Sequence, residues 1–186
     1  MYDLRPFDAP QPTVRRTDPD IELFAAAVRR YQSLCMRSQL ACLWARLRGK
    51  QARLLDLSET KAHARLVGSH DAGVHAVALR QIRGSEGRTS DFDCEFRPRG
   101  DSSRQRWAGI YAARLSGVPM PAVRLVRVGA VYFVRDGHHR VSVARQMREE
   151  FIDAEVTVWE LAPEPAGEPL VEPAHLSGQG LTALAA

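Results

Sequence analysis

The chain has 186 residues, 45% of them hydrophobic and 26% charged, the composition of a globular protein with room for one domain and an appendage, or two small units. No apolar run approaches the roughly 18 residues of a spanning helix, and residues 1–17 hold prolines and charges without the apolar stretch of a secretory signal, so a cytoplasmic protein without membrane contact is expected. The net charge of +4 and the pI of about 9.3 come almost wholly from arginine, since only Lys50 and Lys61 are lysine; the arginines are spread along the whole chain, as GC-rich codon usage would spread them, so the charge by itself does not mark a nucleic-acid surface.

Pro6, Pro10 and Pro12 deny residues 1–17 a helix and predict an extended arm. Asp18-Pro19 is a helix start, with Asp as N-cap and Pro in the first helical position. Ile21, Phe24, Val28, Tyr31, Cys35 and Cys42 recur at intervals of three, four or seven and predict a helix over 19–48. Leu40, Leu43, Trp44 and Leu47 widen its apolar face late on, and Ser38 marks a place where so long a helix can break. Its arginines at 29, 30, 37, 46 and 48 form either a solvated face or a nucleic-acid contact, and its apolar face suits packing or a homodimer.

After Gly49, the positions Leu54, Leu55, Ala62 and Leu66 predict a second helix, interrupted after Leu57 and restarted by a Ser58 cap. This makes 18–67 a helical region. Residues 68–73, rich in Gly, Ser, His and Asp, read as a linker and a domain boundary. A domain over 74–161 follows. Residues 74–82 alternate weakly and predict a short strand, and 83–93 form a polar loop. A helix is expected over 104–116, stopped by Gly117. Strands over 122–128 and 131–134 make a hairpin about Gly129-Ala130. A helix runs from the Asp136-Gly137 turn to about residue 149, and a closing strand over 152–161 puts Ala154, Val156 and Val158 on one face. Pro163, Pro165, Pro169 and Pro173 mark 162–186 as a disordered tail. The three cysteines have neither a disulfide framework nor zinc spacing.

The chemistry concentrates at Asp136-Gly137-His138-His139-Arg140. A strand, a glycine turn and a helix start present unpaired backbone N–H groups and the positive end of the helix dipole, which suits an anion. Arg140 adds a planar fork for two phosphate oxygens, or else pairs with Asp91, Asp93 or Asp136. His138 and His139 are ring N–H donors to phosphate or hydrogen-bonded structural residues. The polar loop offers Gly84, Ser85 and Arg88 as the opposite wall of a phosphate site; its plainer reading is a surface turn anchored by Phe92 and Phe96. If phosphoryl transfer occurs, Asp91 or Asp93 is the candidate general base. A magnesium ion is expected to arrive on a nucleotide; a cage of Asp91, Asp93, Asp136 and one histidine is the alternative.

The order of elements over 77–161, and the run Val134-Arg135-Asp136-Gly137-His138-His139-Arg140-Val141-Ser142-Val143-Ala144, resemble the ParB/sulfiredoxin-like superfamily. In ParB-type domains a strand leads to a Gly-x-x-Arg turn that opens a helix and binds nucleotide phosphates. Gly137 and Arg140 match that pair, and Ala144 matches the small residue one turn on. The Asp-Gly-His-His-Arg form is similar to that of free-serine-kinase-like relatives, and 118–123 is similar to the segment that leads ParB chains into the preceding strand. The resemblance covers a little under half of the chain. His138 stands where sulfiredoxins carry a reactive cysteine, so sulfinic-acid repair is not implied. ParB's DNA-reading helix-turn-helix has no counterpart in the short stretch after Leu161. The resemblance implies an α+β fold, a small mixed sheet with helices, preceded by the helical region. It also implies a nucleotide or phosphorylated small molecule at the 136–140 turn, with CTP or ATP and magnesium as the expected ligands. Three functions follow as alternatives: a nucleotide-dependent switch, a small-molecule kinase or NTPase at the same site, or a nucleic-acid-associated regulator acting through the basic helical region.

Overall fold

A computed structural model describes residues 19–49 and 53–162; the expected arm over 1–17, the Asp18 cap and the tail from 163 onward lie outside these. The first helix, α1, spans Pro19–Leu47 and passes Ser38 without a break. Ser38 is instead buried, in line with Ala27, Tyr31 and Leu34 at intervals of four, three and four, the spacing of one helical face.

The second predicted helix is corrected at its start. Leu55–Asp56 forms a short strand, β1, and α2 spans Leu57–His63. Asp56 rather than Ser58 is the cap, its carboxylate accepting the Ser58 N–H at 2.7 Å. Leu54 and Leu57 are both buried, on different sides of the sheet, so an apolar run that looks helical by spacing is divided between a strand and a helix.

The expected linker at 68–73 lies inside strand β2, Leu66–Ala78, which pairs antiparallel with β6, Phe151–Leu161. The register shifts between Leu66 and Gly68 and again between Asp71 and Val74. At the second shift the Asp71 carboxylate accepts the Gly73 N–H at 2.8 Å, and Gly73 has a φ of +72°. Irregular strands and linkers call on the same small polar residues, so composition alone did not separate them.

A 3₁₀ turn, Leu79–Gln81, leads into β3, Ile82–Ser85. Helix α3 covers Arg104–Leu115, β4 covers Val123–Val128, β5 covers Val131–Asp136 and α4 covers His138–Gln146. The six strands form one mixed sheet in the order β1-β3-β5-β4-β6-β2. The β1/β3, β3/β5 and β4/β6 pairs are parallel, and β4/β5 and β2/β6 antiparallel. This is the α+β architecture expected from the sequence.

One face of the sheet packs Ile82, Val123, Leu125, Val134, Ala154 and Val156 against Val141 and Ala144 of α4. Beyond α4, α1 and α3 meet around Tyr31, Leu34, Trp107 and Val143. Tyr31 lies edge-on to Trp107 at 5.6 Å, and the Trp107 Nε1–H donates to Ser142 Oγ at 2.9 Å, which satisfies a buried indole. The opposite face, with Val126, Val128 and Phe133, is closed by Leu57 of α2. Among the described residues, no helix is long and apolar enough to cross a membrane.

Candidate functional site

The central strand β5 delivers the Asp136-Gly137 turn. Gly137 has a φ of +91°, and a Cβ there would lie 2.6 Å from Val123 Cγ1 and 3.1 Å from Arg140 Cζ. Only glycine allows both the left-handed conformation and the close passage past β4. No side chain caps α4, so the backbone N–H groups of His138, His139 and Arg140 have neither a partner in the helix nor a cap.

Because β3 runs parallel to β5, its C-terminal end arrives beside the start of α4. Ser85 Oγ and His138 Nε2 share a hydrogen bond of 2.8 Å between two buried side chains, and the Arg88 N–H donates to the same Oγ at 3.3 Å. The chain then turns back, setting the Phe92 ring parallel to His138 at 6.1 Å and tilted toward His139 at 5.4 Å. Burial, then the Arg88 charge, pushes both imidazoles down to about 4, so both are neutral near pH 7. His139 also feels Arg106, and its Nδ1 is buried without a hydrogen-bond partner.

His139 lines an open cleft of about 370 Å³ together with Tyr31, Ser90, Asp91, Arg99 and Ser103. Asp91 is half-exposed there, receives the Ser90 hydroxyl at 3.3 Å and lies 3.8 Å from the Arg88 guanidinium. Asp93 is placed differently. It is buried, accepts the N–H groups of Glu95 and Arg97 at 2.9 and 2.8 Å, and has the Arg97 guanidinium at 3.5 Å. Its carboxylate fastens the turn in which Phe96 takes a φ of +55°. Of the two candidate bases, only Asp91 reaches the cleft.

Two further expectations change. Gly84 is not in a phosphate loop; it lies within β3, where a Cβ would meet the Phe133 ring at 2.1 Å and the Leu55 carbonyl oxygen at 2.9 Å. It is glycine because three strands and an aromatic ring crowd it. Arg140 faces away from the histidines. Its Nη1 donates to the carbonyl oxygens of Pro121 and Ala122, the latter at 2.8 Å, and its Nη2 to Asp136 at 2.7 Å. The pairing with Asp136, one of the two sequence readings, is the one seen. A smaller cavity of about 110 Å³ lies on that side, lined by Arg140, Arg114, Met120 and Asp153 among others.

The eight expected phosphate residues thus divide. Ser85, Arg88, His138 and His139 converge; Asp136 and Arg140 form a second cluster; Gly137 joins the two, and Gly84 is a packing residue. Arg99, Ser103 and Tyr31 were missed. Arg99 is carried to the cleft by its own N–H, which donates to the Asp91 carbonyl at 2.9 Å, a pairing across a loop that no local pattern signals. No group of three or more His, Cys, Asp or Glu suited to a metal occurs among the described residues.

No protein-family model matches the chain, and no curated protein matches it. Among solved structures it is similar to sulfiredoxin from Arabidopsis thaliana, at 12% identity and a TM-score of 0.35, over 45% of this chain and 82% of that one.

Proposed function

We propose that the protein binds a phosphate-bearing ligand of the nucleotide class, CTP or ATP with magnesium, at the first turn of α4. One observation carries this reading: the uncapped start of α4 lies beside a buried, neutral histidine with an unpartnered ring nitrogen, His139, and that histidine lines a cleft that also holds Arg99. A buried helix start and an orphaned imidazole nitrogen are both costly when empty, and a phosphate oxygen answers the first directly.

In this reading the backbone N–H groups at 138–140 and the His139 ring bind phosphate oxygens, while Arg99 on the cleft wall, and Arg88 behind it at 3.8 Å from Asp91, balance the charge. Ser85 acts as a positioning residue, since its hydroxyl fixes the His138 ring. Arg140 holds the turn against the entry to β4. Calorimetric titration with CTP, ATP and ADP, with and without magnesium, should give saturable binding; no heat and no shift in melting temperature at millimolar nucleotide overturns the proposal.

A second reading, phosphoryl transfer, is favoured by Asp91, whose carboxylate lines the same cleft beside Ser90. It would accept the proton of an attacking hydroxyl. Phosphate release or transfer that disappears in Asp91→Asn, with nucleotide affinity kept, supports it; unchanged turnover in that variant removes it.

A further inference from the structure

Helix α1 carries two ridges, one buried and one apolar and exposed. The buried one is Ala27, Tyr31, Leu34 and Ser38, packed on the body of the molecule. The other is Met36, Leu40, Leu43 and Leu47, with the same intervals of four, three and four. Each position of the second ridge is nine residues beyond its counterpart in the first, which at 3.6 residues per turn is two and a half turns, so the ridges lie on opposite sides of the helix. Met36, Leu40, Leu43, Leu47 and the adjacent Trp44 are each more than half exposed, and no described residue covers them.

We infer that this second ridge is the contact through which two copies of the chain pair, antiparallel, into a dimer. The 4-3-4 spacing is that of a helix-pairing seam, and it is symmetric about its midpoint. Reversing one copy sets Met36 opposite Leu47 and Leu40 opposite Leu43, so every ridge position meets an apolar one. Covering the five side chains on both copies removes on the order of 1,000 Å² of surface, the lower bound of a specific interface.

The flanks identify the occupant further. Arg37, Trp44 and Arg48 share one side of the ridge, and in an antiparallel pair that side faces itself. Trp44 of each copy then stands beside Arg37 of the other, while Arg48 of the same chain already lies 5.6 Å over the Trp44 ring. No Asp or Glu occurs between Glu22 and Asp56. The flanks therefore bring arginine toward arginine, and the pairing is apolar and aromatic with a like-charge penalty. A dimer of this kind tightens as salt screens the arginines. An acidic helix, a nucleic acid or an anionic lipid surface held by the same arginines would loosen.

Sedimentation equilibrium of the full chain at about 0.1 M and about 1 M NaCl tests this. The expected result is a dimer whose dissociation constant falls at the higher salt. Leu43→Glu, at an exposed position, should weaken it about ten-fold or more by forcing a charge into the seam, with the circular dichroism spectrum unchanged and the melting temperature unchanged when both proteins are dilute enough to be monomers. Arg37→Glu should tighten it at the lower salt by replacing repulsion with a pair to Arg48. A monomer at high micromolar protein in both salts overturns the inference. So does a dimer indifferent to Leu43→Glu, one that dissociates as salt rises, or a monomer that instead binds 3:1 phosphatidylcholine–phosphatidylglycerol vesicles.

Discussion

The two flanks of the α4 first turn differ in how much of their bonding capacity is already spent. On one flank Arg140 is committed to two carbonyl oxygens and a carboxylate. On the other, His139 leaves a ring nitrogen unpaired, and Arg99, at the cleft, has no hydrogen bond or ion pair from its side chain among the described residues. The difference teaches where stability ends and binding begins. A side chain that completes the fold's own hydrogen bonds is costly to remove with or without ligand, whereas one left unpaired shows its value only when something arrives.

The largest effect is expected where the flanks join. Gly137→Ala forces a left-handed φ on a residue with a side chain and drives its Cβ against Val123, so a loss on the order of 3 kcal/mol or more is expected in urea denaturation. A near-wild-type midpoint would show that the two flanks are not rigidly joined.

Acid should come next. Both histidines titrate at about 4 in the folded chain, against about 6.5 when unfolded. As pH falls from 6.5 toward 4, the unfolded chain takes up protons first, so stability is full above pH 6.5 and declines through this window by on the order of a few kcal/mol. Urea midpoints measured at intervals across it should give a slope that His139→Gln roughly halves and Arg140→Ala leaves alone. A flat profile would mean that the imidazoles are not held neutral by burial.

Arg140→Ala should cost about 2 kcal/mol of stability, because the Pro121 and Ala122 carbonyls and Asp136 lose their donor. Arg88→Ala should have the smallest effect on the fold, within about 0.5 kcal/mol, since its guanidinium is well exposed and meets Asp91 only at 3.8 Å. Its nucleotide affinity should nonetheless drop about ten-fold. If these two variants exchange behaviours, the comparison between the flanks is reversed.

Much of the scaffold was legible from periodicity. The three-, four- and seven-residue intervals of α1, the alternation of Ala154, Val156 and Val158 in β6, and the glycine stop after α3 are local signals with local causes, although Ile21 and Phe24 of the expected α1 face are exposed and the buried face is Ala27, Tyr31, Leu34 and Ser38. What failed was non-local. Gly68, Gly73 and Gly84 looked alike as punctuation, yet two sit at strand irregularities and one under an aromatic ring of a neighbouring strand. Whether Arg140 turns to a ligand or to the fold depends on carbonyls left free at Pro121 and Ala122, eighteen or more residues away. The convergence of Ser85 with His138 depends on β3 and β5 being parallel neighbours. The site was thus readable as a pair of segments but not as an assignment of side chains to sides.

The bond from Trp107 to Ser142 has a use outside stability. It ties the single fully buried indole among the described residues to the helix whose first turn forms the candidate site. Trp44 is exposed and Trp159 half-buried, so the bluest part of the emission belongs to Trp107. The protein therefore carries its own optical gauge of α4: any ligand that shifts the helix against α3 must stretch that bond and register as a change in fluorescence, without a label.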